Sequence, residues 1–328
     1  MDRLEAMFET QKEFEECFFK KTFGISLKDF MSSDENKLAW NTEFILCLMK
    51  ESSELLDNLN WKHHTDLNVD QSKDNFIENS VDLMKYLFAL LAINEVSTNE
   101  LFNKFVSKSV VVQAKFEQKL LLEQLKKNKD RKIAIIDIDG VLSDYPGSFL
   151  ASTPYLQKFT NIQDAMSSDY PLYNATKKHY RVSGIKVSIG VREGAKELLN
   201  YLRDNGYFII LLTARPYNKI SRIYQDTLYW LDKNGLEYDA IIWEKEKAKY
   251  AIKHLKESNV VFCVDDEVKQ VNELSSEFKT YFVENKKLYR SREQMLTTIG
   301  YSLINTDNIV LCENVCDVLY EVKRTDKK

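Results

Sequence analysis

The stretch that decides the fold is Arg131–Pro146, RKIAIIDIDGVLSDYP. Two basic residues precede the apolar run Ile133 to Ile136, which stops at Asp137. A short, β-branched, uninterrupted run of this kind reads as a central strand of a parallel sheet, covered on both faces. In an open α/β sheet, ligands bind beyond the carboxyl ends of the strands, where Asp137 and Asp139 fall. Gly140, directly after the second aspartate, lets the backbone turn tightly. Two aspartates spaced this way are, alone, more often a solvated turn, so the segments that follow decide the reading.

The first is Tyr207–Pro216, YFIILLTARP, a second strand ending in Thr213, whose hydroxyl and neighbouring amides can hold a phosphate. Arg215 in the same turn either touches that phosphate or caps the turn. Next comes the cluster Lys245, Lys247 and Lys249, whose ammonium groups can neutralise nearby negative charge. The last is Val260–Asp266, VVFCVDD, a strand ending in Asp265 and Asp266. Paired carboxylates suit Mg2+, a hard cation that prefers oxygen ligands.

In this order the four segments resemble the motifs of haloacid-dehalogenase-like (HAD) phosphatases over residues 130–290. The resemblance implies that Asp137 attacks phosphorus to form an aspartyl-phosphate. Asp139 would protonate the leaving oxygen and then activate water. Mg2+, or Mn2+ in its place, would be held by Asp137, Asp265 and Asp266, with Asp139 beside them. Lys247 is the preferred lysine because it precedes the helical stretch AKYAIKHL, as the family's lysine does; Lys249 stays open. The insertion between the first two motifs, about 149–190, is expected to form a small cap that excludes water and selects the leaving group. Its size fits a small-molecule substrate. His179 and Arg181 lie on it as candidate contacts, although a histidine among lysines is more often simply exposed.

Before Leu125 there is no proline and no strand pattern, and apolar residues recur at helical spacing, as in FILCLMKESSELLDNL and FIENSVDLMKYLFALLAI. The fold class read from the sequence is therefore an all-α helical bundle, residues 1–127, followed by an α/β Rossmann-like domain with a parallel sheet, 128–328. The charged segment LKKNKDRK joins them. Glu51 and Glu54 share one helical face, and Asn79 and Asp82 another, because residues three apart are neighbours on a helix. Two such pairs on packed helices can converge on a metal.

ESSE, WKHH and NSVD in this order resemble the all-α nucleoside triphosphate pyrophosphatases, and among them the dimeric dUTPase and MazG-like branch, over residues 7–118. The resemblance implies that Glu51, Glu54, Asn79 and Asp82 bind Mg2+, that Gln11 and Trp61 meet the base, and that Lys62 and Lys108 meet phosphates. Asn79 stands where the family has a glutamate, which removes one negative charge and weakens the metal site. Val112 departs from the family's phosphate-binding tail. A zinc reading of His63 and His64 fails for want of a second ligand cluster.

The chain of 328 residues exceeds the usual size of one hydrophobic core, and 44% apolar content is enough for two. A net charge of −4 disfavours nucleic-acid binding. Five cysteines without close pairing indicate free thiols and a reducing, cytoplasmic setting, and no signal peptide or membrane span is evident. The expected activity is bifunctional. A pyrimidine deoxynucleoside triphosphate, dUTP or dTTP, loses pyrophosphate in the helical half, and the HAD half, acting as a 5′-nucleotidase, removes the remaining phosphate. A homodimer through the helical half is expected with it. The alternatives are a HAD phosphatase carrying a silent helical dimerisation or sensing module, and a nucleic-acid 3′-phosphatase.

Overall fold

A computed structural model describes residues 2–57, 59, 72–220, 222–291, 293–294 and 308–327. Trp61, Lys62, His63 and His64 lie outside the described residues. The chain divides into two compact units, Met1–Phe105 and Val106–Lys328.

The first unit is helical: α1 (Arg3–Phe23), a single turn α2 (Leu27–Phe30), α3 (Asp34–Asp57), α4 (Lys73–Ile93) and the beginning of α5 (Thr98–Lys127). Phe8, Glu15 and Phe19 are buried along α1, a stripe at seven- and four-residue spacing that turns one face inward. Ser72 caps α4 by accepting a hydrogen bond from the Asn75 amide. The core joins Phe19, Leu27, Met31, Phe44, Ala89 and Ile93. Trp40 packs against it, with its ring 4.8 Å from that of Phe19.

The second unit is built on six parallel strands: β1 (Ile133–Ile136), β2 (Phe208–Thr213), β3 (Ala240–Trp243), β4 (Val260–Asp265), β5 (Thr280–Val283) and β6 (Ile309–Cys312). Their order across the sheet is β3-β2-β1-β4-β5-β6. Side chains alternate between two cores. Ala134, Ile136, Ile209 and Leu211 face one, while Ile133, Ile135, Phe208, Ile210 and Leu212 face the other together with Leu121 and Leu125 of α5. Both faces are thus covered, as a parallel sheet of apolar strands requires. From β1 the chain first winds outward to β2 and β3, then returns to lay β4 on the other side of β1. The winding direction therefore reverses between β1 and β4, the place where such sheets open a crevice at their carboxyl ends.

Between β1 and β2 lies the expected cap, wholly helical in its regular parts: α6 (Gly147–Leu150), α7 (Ile162–Ser168), α8 (Tyr170–Val182) and the tight turn Ile185–Ser188. It has its own small core of Phe149, Leu150, Leu156, Ala165, Tyr173, Tyr180 and Ile189. NIVLCENV forms the edge strand β6, and CDVLYEVKR lies in the closing helix Val315–Asp326.

Candidate active site

The carboxylates gather where the winding reverses. Asp137 leaves β1 with its amide bonded to the Val264 carbonyl of β4, 3.0 Å away, so the first aspartate is locked beside the end of the strand that carries Asp265 and Asp266. Ligand atoms of these three buried aspartates lie within 4.8 Å of one another, the one such acidic group among the described residues. Gly140 has φ +93°, and a Cβ there would collide with the Asp266 carboxylate. Glycine is therefore needed here both for the turn and for the close approach. Asn285, just past β5, donates to Asp266 Oδ2 at 2.7 Å and fixes its orientation.

Of the three lysines, the structure brings Lys247 to the carboxylates. Its side chain is 3% exposed, at the first turn of α9 (Lys247–Leu255), with Nζ 3.1 Å from Asp137 Oδ2 and 2.6 Å from Asp265 Oδ2. Lys249 pairs instead with the exposed Glu246. One ammonium cannot satisfy three buried carboxylates. Burial, against the pull of Lys247 and with the repulsion of Asp265 and Asp139, raises Asp137 to about 7, and burial pushes Asp266 well above the carboxylate range. A divalent cation with oxygen ligands fits this all-carboxylate set and its charge deficit.

Asp139 lines the same cavity but is not among the three. Its carboxylate, expected beside the metal, is instead engaged by the buried Arg215, with Nε 3.1 Å from both oxygens, and by Lys186 Nζ at 2.8 Å. Burial works against its ionisation, but Arg215 and Lys186 outweigh this and hold it well below the ordinary range. Arg215 thus orients Asp139, and it also donates to Thr227 Oγ1 at 2.9 Å. Thr213, 1% exposed, lies at the end of β2, its hydroxyl accepting from the Arg215 amide. Lys186 is a contact that the sequence reading missed, one lysine in a basic segment with no spacing signal.

A cavity of about 400 Å³ opens here beneath the cap. Besides the residues above, Tyr145, Lys177, Tyr180, Arg181 and Tyr289 line it. Arg181 is at the cavity; His179 is exposed on α8 and does not line it.

In the helical unit, Gln11, Glu51 and Asp82 line a groove of about 530 Å³ with Trp40, Phe44 and Tyr86. Gln11 donates to Glu15. Lys50 reaches Glu51 at 3.3 Å and Glu54 at 2.5 Å, Lys85 pairs with Asp82, and Asn79 donates to the Glu54 carbonyl. These carboxylates do not draw together as the three of the second unit do. Lys108 is exposed on α5.

No protein-family model matches the chain, and no curated protein matches it. Among solved structures it is similar to a predicted phosphatase from Clostridium acetobutylicum, with 18% identity over 60% of this chain and 99% of that one and a TM-score of 0.40. It is also similar to a D,D-heptose 1,7-bisphosphate phosphatase from B. bronchiseptica complexed with magnesium and phosphate, with 12% identity over 60% and 99% and a TM-score of 0.34. A HAD-superfamily hydrolase from Ehrlichia chaffeensis gives 14% identity over 58% and 96% and a TM-score of 0.34. At such distances chemistry has to be read from the site's own geometry.

Proposed function

We propose that the second unit is a metal-dependent phosphomonoester hydrolase whose nucleophile is Asp137. The observation that carries this reading is the buried trio Asp137, Asp265 and Asp266, bridged by Lys247 at the strand ends and opening into a capped cavity. Mg2+ on the trio would keep these carboxylates ionised and offset their repulsion of a phosphate dianion. Lys247 holds Asp137 in place and adds positive charge beside the phosphoryl group. An Asp137 oxygen attacks phosphorus, the ester oxygen leaves, and the phosphate is carried as an aspartyl-phosphate. Asp139, held ionised by Arg215 and Lys186, accepts a hydrogen bond from the water that hydrolyses this intermediate and orients it, and the departing ester oxygen takes its proton from water. The test is phosphate release from simple phosphomonoesters with and without Mg2+. Release that survives complete chelation of divalent cations would overturn the reading.

The finer reading places nucleotides on this path, with the helical unit converting a pyrimidine deoxynucleoside triphosphate to the monophosphate and pyrophosphate. It is supported by the groove that gathers Gln11 and five aromatic rings with Glu51 and Asp82, the side-chain types a base and a metal-bound phosphate need. The monophosphate would then be the substrate of Asp137. A dNTP screen that separates pyrophosphate, phosphate and nucleoside decides it. Phosphate without pyrophosphate would leave the helical unit a silent module.

A further inference from the structure

Three side chains at one, three and four residues' spacing put a single face of α8 on the cavity: Lys177, Tyr180 and Arg181. None of them is used by the chemistry assigned to Asp137 and Asp139. Tyr180 is 2% exposed and its Oη is buried with no hydrogen-bond partner, while its ring is fixed against Phe149 at 5.1 Å. A buried hydroxyl without a partner costs stability, and a molecule bound in the cavity that Tyr180 lines can supply the acceptor.

The two neighbouring cations are in a similar position. Lys177 Nζ meets Tyr173, 3.3 Å from its hydroxyl and 5.4 Å from its ring centroid, and among the described residues no carboxylate lies within ion-pair distance of Lys177 or Arg181. Asp139, whose charge favours the Lys177 ammonium, is already shared by Arg215 and Lys186. Burial and the nearby Arg181 both work against the charge on Lys177, and Arg181 also works against that on Lys186. The three side chains therefore offer hydroxyl, ammonium and guanidinium donors and no carboxylate of their own.

We propose that Lys177, Tyr180 and Arg181 form the leaving-group subsite of this cavity. It takes phosphomonoesters whose leaving group presents oxygen acceptors, on a second phosphate or on a keto base, in preference to leaving groups of bare hydrocarbon. This rests on the phosphatase reading. Tyr180 Oη and the two cations donate to those oxygens, which supplies the missing partner and counter-charge at once.

The experiment compares kcat/KM of the full-length protein with Mg2+ on phenyl phosphate, dTMP and thymidine 3′,5′-bisphosphate, for the wild type and for Tyr180→Phe, Lys177→Met and Arg181→Met. Tyr180→Phe keeps the ring that packs on Phe149, so a folded protein is retained. The wild type is expected to favour one or both oxygen-rich substrates over phenyl phosphate, and each substitution to lower that preference about tenfold, the effect of one buried hydrogen bond. A loss confined to the bisphosphate identifies a second phosphate as the acceptor; a loss shared by dTMP identifies the keto oxygens. Equal turnover of all three substrates by the wild type, or an equal proportional loss on all three in every variant, overturns the subsite. Phosphate release from none of them, phenyl phosphate included, overturns the phosphatase reading and the subsite with it.

Discussion

Asp137 shows how a single residue couples stability to function. Its carboxyl is raised from 3.8 to about 7, chiefly by burial. A group with a raised folded pKa favours the fold fully below its unfolded pKa, and that contribution is lost as pH rises through about 7. Asparagine stays neutral throughout and loses nothing. In metal-free protein the melting temperature of Asp137→Asn is therefore expected to gain on the wild type between pH 4 and pH 8, as read by thermal denaturation. Mg2+ should reverse that advantage at pH 8, because only the anion is a good ligand. A gap that narrows with rising pH would show that Lys247, not burial, governs this site.

At the scale of elements, the turn after β1 and the strand ends around it work as one device. Gly140→Ala would place a Cβ on the Asp266 carboxylate and force it off its Asn285 hydrogen bond. The expected outcome is weaker Mg2+ binding, a rise of at least about tenfold in the Mg2+ needed for half-maximal rate, consistent with the typical cost of disturbing a ligand's supporting contacts. An unchanged Mg2+ dependence would remove Asp266 from the metal site. This device was largely legible in the sequence. IAII, YFIILLT and VVFCVDD announce buried parallel strands by composition, and each ends in the residue that matters because a strand must stop where its polar side chain reaches the crevice. Lys247 was legible as one of three, since only burial separates it from Lys249. Lys186, Tyr180 and Asn285 were not, because each is brought to the site by tertiary packing of the cap or of β5, and no local period encodes that. Asp139 was expected beside the metal and is instead bound to Arg215 and Lys186. Its ion pairs with Arg215 and Lys186 depend on side chains 76 and 47 residues away in sequence.

On the scale of the whole molecule, the two units invite separate tests. α3 exposes Leu38, Leu46 and Met49, at 69%, 56% and 65%, and α1 exposes Phe14 at 60%. A set of exposed apolar side chains this extensive is typical of an association surface. We expect a homodimer, seen as twice the chain mass by light scattering at micromolar concentration; a monomeric mass would count against it. Glu51→Gln is expected to remove pyrophosphate release from deoxynucleoside triphosphates while phosphate release from monophosphates is retained. Loss of both, in a folded protein, would contradict independent sites. Among the described residues no helix is long and apolar enough to cross a membrane. If phosphate passes through Asp137, acid-quenching the protein during turnover of a radiolabelled phosphomonoester traps the label on a peptide that can be mapped. A hydroxylamine-labile phosphoryl group is expected on the peptide carrying Asp137, absent from Asp137→Asn. Phosphate release with no label on the protein, or with the label on another residue, would contradict passage through Asp137.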